Sequence, residues 1–198
     1  MTAARSRPLT RLLVAALAAT LVATLLTLLP GLAPGASAAV RPAPTKTRLV
    51  KVLQKIAFPK GAKLGKVETD TVGRSDDTLC GYRIPATLSV SRSTTDDALS
   101  AGYLPTTSAA KARTFVQKVR AKRSCEDGLL KRTTLKGAPK GSAALVMAIP
   151  IDDTHEVRLY LALAPTGRTV AVATAATKKD AATLLTNAVR SYQRAKLA

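Results

Sequence analysis

The residues with the richest potential chemistry are Asp152-Asp153-Thr154-His155-Glu156, which contain the only histidine of the chain. Carboxylates and an imidazole are ligand types that zinc accepts. In extended structure, however, adjacent side chains point to opposite faces of the strand and cannot converge on one ion. Alternating apolar residues flank the segment on both sides, which predicts a hairpin turn between two strands. We therefore predict no metal site and no cofactor.

Candidates for a catalytic nucleophile or a phosphate-binding loop are few. The chain has no G-x-S-x-G nucleophile elbow. The stretch 61–67 resembles a phosphate loop, but its spacing is one residue short and Val67 stands where a magnesium-binding hydroxyl is needed. Asp76-Asp77 and Asp96-Asp97 are typical of loops and caps. We predict that the protein is not an enzyme. The alternative is a secreted hydrolase whose site is assembled from scattered acidic residues.

The chain has two cysteines, Cys80 and Cys125, which lack the C-x-x-C spacing of redox sites. An even cysteine count in an oxidising compartment predicts one disulfide. On the chain-entropy estimate, closing a loop of this length stabilises the fold by roughly 4 kcal/mol. The alternative is a pair of buried free thiols.

The N-terminal segment has the pattern of an export signal. Three arginines within the first eleven residues precede the uncharged, apolar run 12–29, and Ala36-Ser37-Ala38 offers small residues to a signal peptidase. We predict a signal peptide at residues 1–38 and a secreted, extracytoplasmic mature protein. The alternative is an uncleaved anchor, since the apolar run is near the lower limit for spanning a bilayer. Only in that case would the protein be attached to a membrane.

The formal net charge is strongly positive. Three of the 31 basic residues and none of the 12 acidic residues lie in residues 1–38, so the remaining 160 residues carry +16. Such a field attracts polyanions, and outside a cell these include anionic wall polymers and lipid head groups. Specific nucleic-acid binding is not predicted, because the chain has no Trp and its few Tyr and Phe residues are scattered. The alternative is a lysine-rich surface that only confers solubility.

Basic residues on two helices are the candidate anion-binding positions. The candidates are Lys111, Arg113, Lys118, Arg120, Lys122, Arg123, Arg190, Arg194 and Lys196.

Hydrophobic periodicity predicts how these residues are positioned. A proline-containing linker at 39–46 precedes a single α+β domain at 47–198, in which helical spacing occurs near Leu49, Phe115 and Leu184. Alternation predicts strands at 145–151, at 157–163 and beyond the Pro165 turn, and shorter strands around Cys80, at 86–92 and at 129–135. The polar stretch 93–107 is predicted to be a loop. The expected architecture is an antiparallel sheet with flanking amphipathic helices and one buried sheet face.

The order of these elements from Cys80 onward resembles the extracellular sensor domains of actinobacterial receptor-type serine/threonine kinases and their secreted relatives. The resemblance lies in the Cys80-Gly81 strand, the helix through Phe115 leading to Cys125, the 157–160 Val-Arg-Leu-Tyr run and the terminal amphipathic helix. It implies an antiparallel sheet with a ligand cleft, in a secreted, non-enzymatic ligand-binding or sensor-like domain of the cell envelope. No kinase domain is present, and only the cysteine positions are carried over. The resemblance names no ligand or protein partner.

Overall fold

The computed structural model describes residues 43–73, 76–96, 98–150 and 156–197. The predicted signal peptide at 1–38 lies outside the described residues, as do Asp97 and the acidic residues 152–153 with His155. Export and cleavage therefore stay predictions. On either side of the segment 151–155, Pro150 of one strand pairs with Glu156 of the next in antiparallel register.

Three α-helices lie in the described residues: α1 (Lys46–Leu53), α2 (Ala109–Ala121) and α3 (Lys178–Arg194). Each follows a hydroxyl N-cap, Thr45, Ser108 or Thr177, whose side-chain oxygen accepts a hydrogen bond from a backbone N–H of the first turn. α2 and α3 contain Phe115 and Leu184, near which helical spacing was predicted. None of the helices in the described ranges is both long and apolar enough to cross a membrane.

Ten strands and a short 3-10 helix (Glu126–Gly128) make up the rest of the regular structure within the described ranges. The strands are β1 (Leu64–Thr71), β2 (Thr78–Leu79), β3 (Tyr82–Arg83), β4 (Leu88–Thr94), β5 (Leu99–Pro105), β6 (Ser124–Cys125), β7 (Leu130–Arg132), β8 (Ala143–Pro150), β9 (Glu156–Thr166) and β10 (Thr169–Ala175). Eight form one antiparallel sheet in the order β1-β4-β5-β10-β9-β8-β7-β6, and β2 and β3 form a small separate hairpin. The predicted α+β class with an antiparallel sheet is confirmed.

Helices cover the sheet on both faces. Ala162 of β9 and Ala173 of β10 pack against α1 and α3, whereas Leu163 and Val170 of the same strands pack against α2. Successive side chains of a strand point to opposite faces, so each of these strands contributes to two cores. The expectation of one buried sheet face is therefore wrong. The small alanines of the second face made its burial hard to recognise from hydrophobicity alone.

Two strands differ from the sequence prediction. The stretch 93–107 was expected to be a loop, yet it contains β5, an interior strand between β4 and β10. Its polar appearance comes from small residues such as Gly102, where an added Cβ would lie 2.9 Å from the Val90 carbonyl oxygen. The turn-rich stretch after Gly61 contains the edge strand β1. Both strands are specified by pairing partners and not by a strong local pattern.

Cys80 and Cys125 are joined by a disulfide with a Cα–Cα distance of 4.6 Å, which confirms the predicted pairing. Cys80 and Gly81 form the two-residue turn of the β2–β3 hairpin, with φ of 57° and 74°. A left-handed conformation at both positions is the geometry of a type I′ hairpin turn. The backbone N–H of Cys80 also donates to the Glu126 carboxylate at 2.9 Å. This small hairpin is thus attached, covalently and by a hydrogen bond, to β6 and the residue after it.

Candidate functional site

The acidic residues whose partners the structure gives have structural roles. Asp77 accepts a hydrogen bond from the Gly73 backbone N–H, and Asp180 accepts one from the Thr177 hydroxyl at the start of α3. The Thr94 hydroxyl and the Ala98 backbone N–H both donate to Asp96, and these bonds lower the pKa of its carboxyl. Within the described ranges no three His, Cys, Asp or Glu side chains are grouped to hold a metal ion.

The nine predicted anion-binding residues are all exposed, but the structure divides them between two surfaces. Six belong to α2 and the turn after it, on one face of the sheet, and three belong to the end of α3 on the opposite face. The ammonium groups of Lys118 and Lys122 each lie 5.4 Å from the centre of the Tyr82 ring. These two lysines thus make cation–π contacts within the protein.

A depression of about 390 Å³ lies between α1 and α3, and we call it the first depression. Arg48, Lys51 and Lys55 line it from the side of α1, and Arg194 lines it from α3 together with Ser191. The helical spacing of Arg48 and Lys51 places them together, while Leu49, Val52 and Leu53 anchor α1 in the core. Of these basic residues, the sequence prediction included only Arg194.

A second depression, of about 670 Å³, adjoins the first half of α3. Its basic residues are Lys178, Lys179 and Arg190 of α3 and Lys136 of the loop before β8. Thr183 and Asn187 add a hydroxyl and an amide to the lining. We refer to the four basic residues of each depression together as the basic face.

Hydrogen bonds attach the neighbouring loops to α3. The Asn187 side-chain amide donates to the Ala57 carbonyl at 2.7 Å. The Thr186 hydroxyl donates to the Ala182 carbonyl of its own helix at 2.8 Å, and the Gly137 carbonyl lies 3.2 Å from the same hydroxyl. These contacts hold the loops after α1 and before β8 against one helix. The walls of both depressions are therefore fixed relative to α3.

Two buried tyrosines attach α3 to the sheet below it. Tyr103 of β5 donates a hydrogen bond to the Ala188 carbonyl at 2.7 Å, and Tyr192 accepts one from Thr169 of β10 at 2.9 Å. Their ring centres lie 5.6 Å apart. Burial raises the pKa of both phenols, and for Tyr103 the proximity of Tyr192 raises it further. Both tyrosines therefore stay protonated and hydrogen-bonded at neutral pH.

The basic face is not neutralised by acidic neighbours. In the part of the chain that the structure describes, no carboxylate lies within ion-pair distance of these eight side chains. The sequence contains the reason, because residues 39–67 include no Asp or Glu and the only acid after Glu156 is Asp180. This absence of acids was the available sequence signal for the residues that the prediction missed. The uncompensated positive charge makes the face suited to binding anions.

No protein-family model and no curated protein matches the chain. Among solved structures, the extracellular domain of PknH from Mycobacterium tuberculosis matches with a TM-score of 0.47 and 12% sequence identity, covering 76% of this chain and 92% of that one. At this TM-score and identity, the likeness establishes neither a family nor a function for the chain.

Proposed function

We propose that the protein is a secreted, non-enzymatic ligand-binding or sensor-like domain of the cell envelope, and that its basic face binds anionic partners. The observation that carries the proposal is the first depression, where four cationic side chains from two helices surround one concavity without an acidic residue in its lining. A concave site is typical of ligand binding, and uncompensated charge selects for anions. The export pattern and the disulfide support an extracytoplasmic location.

Catalysis is not part of the proposal. The carboxylates of Asp77, Asp96, Glu126 and Asp180 interact with backbone amides or hydroxyl groups of the fold. Glu156 is paired with Arg158 on the surface. No observation favours the alternative of a hydrolase with scattered acidic residues.

Binding of polyphosphate at several salt concentrations tests the proposed function. Replacing Arg48, Lys51, Lys55 and Arg194 by Gln removes four charges from the first depression. Because each cation in contact with a phosphate releases counterions, we expect weaker binding and a salt dependence whose logarithmic slope is smaller by about 3. Fluorescence anisotropy with labelled polyphosphate measures both quantities.

The matched control removes the same charge from the opposite face of the sheet. Replacing Lys111, Arg113, Arg120 and Arg123 by Gln leaves the two lysines beside Tyr82 in place. We expect this variant to bind polyphosphate much more tightly than the first. Equal losses in the two variants would mean that only net charge matters and would contradict a site at the first depression.

Intact-mass analysis of protein recovered outside the cell tests the location. The proposal expects Ala39 at the mature N-terminus, after cleavage behind Ala38. Recovery only with membranes, with residues 1–38 retained, would show an anchored protein.

A further inference from the structure

The two depressions share one exposed stripe of α3. Lys179, Arg190 and Arg194 are separated by eleven and four residues, which corresponds to nearly whole numbers of helical turns and places all three on the same side of the helix. From Lys179 to Arg194 the helix rises by about 22 Å. The remaining basic residues flank this stripe, with Lys136 and Lys178 beside its first half and Arg48, Lys51 and Lys55 beside its second half.

We infer that the two depressions are adjoining subsites for one linear polyanion, a chain of repeating phosphates that lies along α3. This inference rests on the proposed function and specifies its ligand. All eight basic side chains are exposed to solvent, so each contact with a phosphate is screened and contributes little by itself. Tight binding therefore requires many contacts from one molecule. Once the first phosphates of a chain are bound, the next phosphates are held close to the remaining cations.

The shape and composition of the surface favour a chain over a membrane. Helices that bind in a membrane interface insert large apolar side chains between the lipids. The exposed large apolar residues within the described ranges are Leu64, Leu129 and Val157, and none of them lines either depression. The cations instead surround two concavities along a single helix, which fits an extended ligand of small cross-section.

The dependence of affinity on ligand length tests this inference. The probes are inorganic phosphate, tripolyphosphate, and polyphosphate chains shorter and longer than the span of about 22 Å. We expect the Kd to fall by about a hundredfold or more as the chains reach that span. For longer chains, we expect little further change after the Kd is corrected for the number of equivalent positions at which a chain can bind. Titration calorimetry at low ionic strength gives the Kd for each length.

A double-mutant cycle decides whether one chain occupies both subsites. Lys179→Gln removes a cation from the second depression, and Arg194→Gln removes one from the first. For chains that span both sites we expect the two effects to be coupled, whereas for tripolyphosphate they should be independent. The matched control is the pair Arg113→Gln and Arg120→Gln on α2, which should preserve the length dependence.

The possible outcomes separate this inference from the proposed function. If affinity per phosphate is the same at every length but falls in the Lys179 and Arg194 variants, the subsites are independent and only this inference fails. If the α2 control weakens binding as much as those variants do, the proposed site fails as well. Binding to vesicles containing phosphatidylglycerol that is tighter than binding to long polyphosphate would replace the linear polymer by a lipid surface.

Discussion

The two faces of the sheet are both covered by helices, but different side chains fill the two cores. On the α2 face, large apolar residues such as Leu145, Leu163 and Phe115 fill the space under the helix, and the disulfide joins the β2–β3 hairpin to β6, which follows α2. On the face covered by α1 and α3, the strands present mainly alanines, and buried tyrosine hydrogen bonds hold the long helix. The first face depends on side-chain volume and a covalent link, and the second depends on close approach and polar contacts. The basic face is built on the second.

The largest expected effect is on the α2 face. Phe115→Ala removes a ring that is 4% exposed and leaves a cavity between α2 and the sheet. We expect a loss of about 3–5 kcal/mol in the free energy of unfolding, measured by denaturant titration. Phe115→Leu, which preserves most of the volume, should cost much less. A small effect of the alanine variant would contradict the view that volume stabilises this face.

Removal of the disulfide tests the covalent part of the same comparison. The double variant Cys80→Ser and Cys125→Ser should lose about 2–4 kcal/mol, because the unfolded chain is no longer constrained. Calorimetry of this variant and of reduced wild-type protein should agree. Polyphosphate affinity should be unchanged at a temperature where the variant is folded, since the basic face lies across the sheet. A large loss of affinity would show that the two faces are not independent.

A larger side chain in place of a buried alanine tests whether the face under α1 and α3 depends on close approach between helix and sheet. Ala173 of β10 is fully buried beneath the helices on this face, so Ala173→Leu forces α3 away from the sheet. We expect a destabilisation of about 1–3 kcal/mol, measured by thermal unfolding. Because α3 contributes residues to the lining of both depressions, the polyphosphate affinity of the folded variant should also fall. An unchanged affinity would mean that the position of α3 is not critical for binding.

The smallest effect is expected from the tyrosine hydrogen bonds. Tyr103→Phe removes the bond to Ala188 and should cost about 0.5–1.5 kcal/mol. Burial raises the pKa of the Tyr103 and Tyr192 phenols, so the folded state binds their protons more tightly than the unfolded state does. Their stabilising contribution is complete below pH of about 10, the pKa of tyrosine in an unfolded chain, and is lost as the pH rises above that value.

Unfolding measured between neutral pH and about pH 11 checks that dependence, since it covers the unfolded-state pKa of tyrosine. Tyr103→Phe should lose stability less steeply than wild type over this interval. Equal steepness in the two proteins would contradict the assignment of the loss to Tyr103.

Elements that local chemistry specifies could be predicted from the amino-acid sequence. Apolar stripes predicted α2 and α3, and alternation predicted β8 and β9, because both patterns follow from the period of a single element. The cysteine count together with the export signal predicted the disulfide. Strand β5 was missed because its small residues are needed for contact with β4 and lack a hydrophobic period of their own.

Which basic residues lie on the same surface depends on how the helices pack against the sheet. The basic residues around Lys118 and those around Arg194 look equivalent in the sequence, but the sheet separates them, and the fold instead places Arg48 and Lys51 beside Arg194 from the other end of the chain. Electrostatic attraction between a surface and its ligand depends on distances in space, and the chain sets those distances only after distant strands and helices have packed. The sequence therefore shows that acids are scarce around these residues, but only the folded protein shows that the eight cations lie on one face.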